Sequence, residues 1–243
     1  LVALAGVIAV LMMAGPVLGS FPTAALGAVI VYAATRLVDV GELRRIARFR
    51  KSELVLTLVT AVAVVWFGVL TGIGLAIVLS LLDLIRRIAH PHDGVLGYVP
   101  GLAGMHDVAD YANARQVPGL LVYRYDSPLF FANSADFMTR ALRAVDVAST
   151  PVEWFCLNAE ANVEVDLTAV DTLVELRARL EARGITFVMA RVKQDLRDDL
   201  VRAGFLAVVG EDRVFATLPT AVAAFESAYA ERHGRPPWPA DAG

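Results

Sequence analysis

The residues from 158 to 171 are where the sequence places side chains able to hold or accept a phosphate. Asp166 and Thr168 stand between an apolar run of strand length and an amphipathic run of helix length. The start of a helix offers free backbone N–H groups and the positive end of the helix dipole, both of which favour an added phosphate. Asp or Thr at this point is also an ordinary helix cap. Asp166 and Thr168 are therefore candidate regulatory residues, and two interpretations are open, a helix cap or a phosphorylation site.

Other patterns that carry chemistry are missing from the sequence. It contains no phosphate-binding Gly-rich loop of Walker spacing, no GxSxG and no HExxH. His90 and His92 form a His-x-His pair, but no carboxylate stands at metal-ligand spacing beside them. The only cysteine, Cys156, lies in an apolar run and is expected to be a buried thiol. We expect no enzyme, no catalytic residue, no metal site and no cofactor.

The net charge and the positions of the basic residues indicate whether the protein binds nucleic acid. The net charge is -3, and the basic residues cluster beside apolar runs, where membrane topology accounts for them. No nucleic-acid partner is expected.

A long apolar run decides the class of protein. From Leu54 to Leu82 no side chain is charged, which is typical of membrane-spanning helix. One straight helix of that length would measure roughly 40 Å, more than the hydrocarbon layer of about 30 Å. Two shorter helices, hinged between Gly68 and Gly74, would fit, so we expect a hairpin at 54–85.

The flanking charges favour the hairpin over a single span. Basic residues precede and follow the run: Arg44, Arg45, Arg48, Arg50 and Lys51 before it, Arg86 and Arg87 after it. Cytoplasmic flanks collect Lys and Arg, and a single span would put one cluster on the wrong side. The hairpin puts both clusters, and everything after His90, in the cytoplasm.

Upstream of this run the pattern is also that of a membrane protein. Leu1 to Leu18 is long enough to span once, and Phe21 to Thr35 is a second apolar run. Arg36 to Ser52 is amphipathic, as expected of a helix lying along the cytoplasmic membrane surface. The sequence opens inside a hydrophobic segment without Met, so we expect a C-terminal piece of a longer membrane protein whose residues 1–89 are transmembrane helices.

The remainder has the pattern of a small α/β domain. Residues 90–118, rich in Gly and Pro, are expected to be mostly linker together with the start of this domain, and a short strand is possible at Val95 to Val99. The domain proper is expected at 119–232, and a disordered Pro-rich tail at 233–243. Strands are predicted at Leu120–Arg124, Phe130–Ala132, Trp154–Asn158, Phe187–Arg191 and Val214–Ala216. Helices are predicted at Ser134–Val145, Thr168–Arg183, Gln194–Ala203 and Thr220–Arg232.

The order of these motifs resembles a known family. Pro118-Gly-Leu-Leu-Val-Tyr-Arg124, Ser127-Pro-Leu-Phe-Phe-Ala-Asn133 and Val165-Asp-Leu-Thr-Ala-Val-Asp171 are similar to the cytoplasmic STAS domain of the SulP anion permeases. Phe21-Pro-Thr-Ala-Ala-Leu-Gly-Ala-Val-Ile, the basic segment and the hairpin resemble the last membrane helices of that family. The resemblance covers nearly the whole chain except the tail.

The resemblance implies a secondary active anion transporter with two inverted repeats of seven helices, a core and a gate. This chain would supply the end of the core, the gate helices and the regulatory domain of a dimeric, multi-pass inner-membrane symporter. Its anion would be sulfate, with bicarbonate or a dicarboxylate as alternatives, held by half-helices upstream of this chain. No substrate-binding residue is therefore assigned within these residues.

At the candidate regulatory site the chain departs from the related anti-sigma-antagonist pattern, Asp-Ser-Ser-Gly. The matching residues are Asp166, Leu167, Thr168 and Ala169. Thr168 retains a hydroxyl, whereas Leu167 and Ala169 favour a structural or docking role. A second hypothesis is a membrane-tethered STAS signalling module that is switched by phosphorylation of Thr168.

Overall fold

The structure, a computed structural model, describes residues 4, 6–8, 10 and 22–238. The predicted span at 1–18 and the residues after 238 lie largely or wholly outside this part. The chain divides into two compact units, Leu1–Ser80 and Leu81–Gly243.

The described residues of the first unit are mostly helical. Its described helices are α1 (Thr23–Leu37), α2 (Val40–Phe49), α3 (Lys51–Phe67) and α4 (Val69–Ala89), the last of which runs on into the second unit. The Asp39 side chain caps α2 by accepting a hydrogen bond from the backbone N–H of Glu42 at 3.0 Å. The amphipathic segment predicted at 36–52 is therefore a separate helix between two apolar ones.

The charge-free run divides into α3 and α4 at a single residue. Gly68 has a φ of 86°, a left-handed conformation that glycine adopts without strain, and the helix restarts at Val69. Gly72 and Gly74, which were expected to share in the hinge, lie inside α4. A Cβ at position 72 would lie 2.8 Å from the backbone of Val64, so glycine lets these two helices approach beside the break.

Most of the large apolar side chains of these helices are exposed. Trp66 is 79% and Leu70 87% exposed. Two helical stretches of the described part are long and apolar enough to cross a membrane, Thr23–Phe49 with a mean hydropathy of 1.5 and Val69–Ala89 with 2.0. The first of these comprises α1 and α2, which are separated at Val38 and Asp39. Apolar surface of this extent is stable against lipid rather than water.

The second unit is built on a six-stranded sheet of order β2-β1-β3-β4-β5-β6. The strands are β1 (Asp93–Tyr98), β2 (Met105–Asp107), β3 (Leu120–Tyr125), β4 (Trp154–Asn158), β5 (Thr186–Ala190) and β6 (Val214–Phe215). β1 is antiparallel to both neighbours, and β3 to β6 are parallel. The carboxyl ends of β3, β4 and β5 therefore share one edge, where the loops to the next helices begin.

Helices cover both faces of this sheet. They are α5 (Ser134–Asp146), α6 (Leu167–Glu181), α7 (Gln194–Arg202), α8 (Phe205–Val209) and α9 (Leu218–His233). One core holds Phe155, Leu157 and Phe187 with side chains of α5 to α8, and the other holds Val122, Cys156 and Val188 with side chains of α9. Burial of both faces explains the nearly continuous apolar runs of the central strands.

Several local predictions were wrong. Phe130–Ala132 is not a strand: the backbone turns there because the Asn133 side chain accepts a hydrogen bond from Phe130 N at 2.9 Å. Residues 90–118, expected to hold a linker and the start of the domain, contribute β1 and β2 to the sheet, so the linker is shorter than expected. Within the predicted disordered tail at 233–243, His233 belongs to α9 and Trp238 packs against Tyr98 with ring centroids 6.4 Å apart.

Candidate regulatory site

The loop that carries the candidate residues connects β4 to α6 and is fixed at both ends. Asn162, which is 1% exposed, donates hydrogen bonds through its Nδ2 to the carbonyls of Tyr125 at 3.0 Å and Ser127 at 2.6 Å. Further along, Leu129 and Val165 form an isolated parallel bridge. The loop is therefore joined to the segment that follows β3.

Asp166 is the residue that fastens this loop. Its Oδ1 accepts a hydrogen bond from Ala169 N at 2.8 Å, which caps α6, and its Oδ2 accepts one from Phe131 N at 2.8 Å. One carboxylate thus satisfies two backbone donors, one in the helix and one 35 residues earlier in the chain. The interpretation of Asp166 as a cap is confirmed, and the bond to Phe131 adds a tertiary role.

Thr168 occupies the first turn of α6 and is exposed. Its carbonyl accepts a hydrogen bond from Thr172 Oγ1 at 2.9 Å. A phosphate on its hydroxyl would meet the favourable end of the helix dipole, but it would also stand two residues from the Asp166 carboxylate. The structure brings Asp166 and Thr168 to one helix start, and phosphorylation there stays a prediction.

Two large apolar side chains are exposed beside this helix start. Phe131 and Leu167 are each 71% exposed, and the Asp166 bond to Phe131 N holds their backbones near each other. Leu167 stands where the related pattern has serine, so the departure replaces a hydroxyl with exposed apolar surface. This surface suits contact with another surface better than phosphate transfer.

A second polar cluster, which the sequence did not reveal, lies just after α4. Arg140 of α5 donates to Asp93 Oδ1 at 2.6 Å and pairs through Nε with Asp136 Oδ2 at 2.9 Å. Its Nη1 is also 3.5 Å from the carbonyl of Pro91. We call Asp93, Asp136, Arg140, Tyr123 and Tyr125 the junction cluster, because it fastens the residues following α4 to the α/β domain.

The two tyrosines complete the junction cluster. The Tyr123 hydroxyl donates to Asp93 Oδ2 at 2.7 Å, and that of Tyr125 to Asp136 Oδ2 at 3.0 Å. Burial, followed by these hydrogen bonds to carboxylates, raises the pKa of both phenols. The hydrogen bond to Asp93 likewise raises the pKa of Arg140. The phenols, which are already neutral at neutral pH, thus act as hydrogen-bond donors to the two carboxylates, and the guanidinium stays charged between them.

A neighbouring ion pair involves the edge strand. Asp107 on β2 is 4% exposed, and its Oδ2 lies 3.1 Å from His92 Nε2 and 3.7 Å from Arg124 Nη2. Its Oδ1 accepts a hydrogen bond from Ala109 N at 2.9 Å. Gly94 is required opposite, because a side chain there would overlap the Asp107 carboxylate.

The sequence contains only weak indications of the junction cluster. The i,i+4 pair of Asp136 and Arg140 and the Tyr-x-Tyr alternation of Tyr123 and Tyr125 are visible in the sequence. The partner that joins them, Asp93, lies 47 residues before Arg140. Nothing local connects these positions, so only the sheet pairing of β1 with β3 reveals the cluster.

Two further candidates from the sequence are the Cys156 thiol and possible metal ligands. Cys156 is fully buried, and burial raises the pKa of its thiol to about 12. Among the residues that the structure describes, no group of three or more His, Cys, Asp or Glu side chains could hold a metal ion.

Two family models match the chain. The model of the sulfate permease family matches residues 1–60, and the STAS domain model matches residues 111–221. The two regions occur in the same order as the helical unit and the α/β unit.

Curated relatives match across both units. A probable sulfate transporter of Mycobacterium tuberculosis is 60% identical over 225 residues, which cover 93% of this chain and 40% of that protein. Sulfate transporter 4.1 of Arabidopsis thaliana, a chloroplast protein, is 28% identical over 217 residues, covering 85% of this chain and 32% of that one. The chain thus spans well under half the length of these relatives.

A solved structure has the same arrangement of elements. The murine solute carrier 26 family member A9 anion transporter, in its inward-facing state, matches with a TM-score of 0.73 and 22% identity. The match covers 90% of this chain and 36% of that chain. It supports the fold, membrane helices followed by an α/β STAS domain.

Proposed function

Because the chain belongs to the sulfate permease family and carries a STAS domain, we propose that it forms part of a secondary active transporter of inorganic anions, with sulfate as the substrate. The observation that carries this proposal is the 60% identity to a probable sulfate transporter over 93% of the chain. Similarity of this extent includes both the apolar helices and the α/β domain. The relatives are named as transporters, and the chain is not an enzyme.

We assign to this chain the supporting parts of such a transporter. The anion in this kind of fold binds near the membrane midplane, between discontinuous helices. No residue from 22 to 89 is proposed to bind it. The helices α1 to α4 would instead belong to the comparatively fixed part against which the substrate-carrying part moves as a rigid body during alternating access. A dimer would hold the fixed parts together.

The positions of the basic residues indicate which side of the membrane each helix end faces. Arg44 and Arg48 lie before the apolar hairpin, and Arg86 and Arg87 lie in the last turns of α4, where Arg87 also pairs with Asp83 at 2.6 Å. Basic residues on both flanks favour the cytoplasmic side for both ends. The α/β domain, which follows α4, would then be cytoplasmic, on the inner face of the cell membrane.

Uptake of several anions would identify the substrate. The complete product of the gene encoding these residues is reconstituted in proteoliposomes and given labelled sulfate, with bicarbonate or succinate as competitor. The proposal expects saturable sulfate uptake that neither competitor reduces. Uptake abolished by bicarbonate or succinate would reassign the substrate, and no uptake of any anion would overturn the proposal. A proton or sodium gradient imposed in turn identifies the ion for symport.

A second function is supported by the exposure of Thr168 at the start of α6. In this alternative the chain is a membrane-tethered STAS module that binds a partner when Thr168 is phosphorylated. Phosphoprotein mass spectrometry of the protein isolated from its own cells tests it, with T168A as the control. Phosphate on Thr168 that alters partner binding would support the module, whereas unmodified Thr168 with intact anion uptake would exclude it.

A further inference from the structure

The helix α2 and the two residues that follow it carry an unusual density of exposed positive charge for a segment between two apolar helices. Five cations fall within eight residues, and all of them are exposed: Arg44, Arg45, Arg48, Arg50 and Lys51. The same short helix exposes Val40 and Phe49, of which Phe49 is 77% exposed. Positive charge and apolar surface are therefore presented together.

Only part of this charge is neutralised within the described chain. Arg45 pairs with Glu42 at 3.2 Å, and Arg50 pairs with Glu53 at 3.6 Å. Asp39 is occupied as the cap of α2. Arg44, Arg48 and Lys51 have no ion pair among residues 22–238, so three cations remain available to an external anion.

The helix geometry of α2 groups two of these cations, and Lys51 follows at the start of α3. Arg44 and Arg48 are four residues apart and so lie on one stripe of α2, one turn from each other. Leu43, Ile46 and Ala47 follow the spacing of an adjacent stripe and are half-buried. A helix with neighbouring apolar and basic stripes lies in the plane of a membrane interface, with its apolar side inward and its cations at the depth of the headgroups.

We propose that Arg44, Arg48 and Lys51 form a binding surface for anionic phospholipid headgroups. The occupant is a lipid phosphate rather than a free anion, because α1 and α3 are apolar helices on either side of α2 and hold it at the bilayer surface. Arginine forks match phosphate oxygens bidentately, and a nearby anionic surface attracts each added cation. The inference rests on the membrane placement proposed above, but not on which anion is carried.

Photocrosslinking in nanodiscs tests this proposal. The complete gene product is placed in phosphatidylcholine nanodiscs that contain a trace of photoactivatable phosphatidylglycerol or photoactivatable phosphatidylcholine. Mass spectrometry then measures the crosslink yield on the peptide spanning residues 37–53. The proposal expects a yield about fivefold or more higher with phosphatidylglycerol, falling as the salt concentration rises.

Matched variants locate the effect. R44Q/R48Q should lower the phosphatidylglycerol preference by about fivefold or more, whereas R44K/R48K should retain most of it. R143Q/K193Q removes the same charge from exposed positions of the α/β domain and should change nothing. Inorganic phosphate at millimolar concentration should not compete, since a free anion lacks the bilayer that holds a headgroup against the helix.

Two results would overturn the proposal. Equal yields for the two lipid probes in the unmodified protein would show that the surface does not select charge. A preference unchanged in R44Q/R48Q would place anionic-lipid binding elsewhere. Either result, obtained with a protein that transports sulfate in proteoliposomes, would leave the proposed function standing, so the two failures are distinguishable.

Discussion

Asp166 joins the start of α6 to a loop 35 residues away through its two carboxylate oxygens. The D166A substitution removes a cap and a tertiary hydrogen bond, so we expect the α/β domain to lose about 2 kcal/mol of stability. This corresponds to a melting temperature lower by about 4–8 °C. Thermal unfolding of the complete chain in detergent measures it.

Thr168 provides the control for that prediction. Its side chain is exposed, and T168A should change the stability by no more than about 0.5 kcal/mol. If T168A destabilised the domain as much as D166A, the division between a structural Asp166 and an accessible Thr168 would be wrong.

The reactivity of the Cys156 thiol tests whether this single residue is buried in the core. Because the pKa of its thiol is raised to about 12, almost no thiolate is present at pH 8. The folded protein should therefore resist maleimide over hours and react within minutes once denatured. Mass spectrometry of the peptide that contains Cys156, the only cysteine of these 243 residues, reports its labelling directly. Rapid labelling under native conditions would contradict the buried position of β4.

At the scale of elements, the junction cluster links β1, β3 and α5. R140M keeps much of the apolar stem of Arg140 but leaves Asp93 and Asp136 without their cation. We expect a loss of about 2–3 kcal/mol, because two partly buried carboxylates then keep only their tyrosine hydrogen bonds and lack a compensating positive charge. Urea unfolding followed by tryptophan fluorescence measures the change.

Arg143 gives a matched control on the same helix. It is exposed and has no ion pair among the described residues, so R143M should be nearly neutral. Equal losses for R140M and R143M would show that removing a positive charge from α5, rather than breaking the junction cluster, causes the effect.

The close approach of α3 and α4 makes a prediction about Gly72. G72L would drive a side chain into the backbone of Val64, whereas at Gly74 nothing lies within 4 Å of an added Cβ. We expect G72L to lower the yield of folded protein in the membrane severalfold and G74L to be tolerated. Size-exclusion profiles of detergent-extracted protein compare the two, and indistinguishable profiles would contradict this packing.

The sequence predicted the elements whose side chains are buried on both faces. Residues 154–158 form a strand as predicted, because a central strand covered by helices on both sides reads as an apolar run. Residues 130–132 gave the same local signal, yet Asn133 turns the backbone there by bonding to Phe130 N. β1 was harder to predict because Gly94 and Gly97 interrupt it.

The candidate site was predictable only as far as its contacts are local. Asp166 caps α6 by accepting a hydrogen bond from the backbone N–H three residues ahead, a pattern that spacing reveals. Its bond to Phe131, and the bond of Arg140 to Asp93, join positions far apart in the chain and depend on how the strands pair. No local propensity encodes such pairs.

At the scale of the whole molecule, the chain combines helices that expose apolar surface with an α/β domain that has its own two cores. The 60% identical relative and the murine anion transporter share this order of parts. If the α/β domain regulates or assembles the membrane part of the proposed transporter, removing residues 119–232 should impair transport or dimer formation.

Uptake of labelled sulfate into transporter-deficient cells tests the central claim most directly. The cells carry the complete gene product, with or without residues 119–232, and surface expression is measured in parallel. We predict saturable sulfate uptake by the complete protein and severalfold slower uptake, per molecule at the surface, after the deletion. Absence of sulfate uptake by the complete protein, despite normal surface expression, would contradict the proposed function.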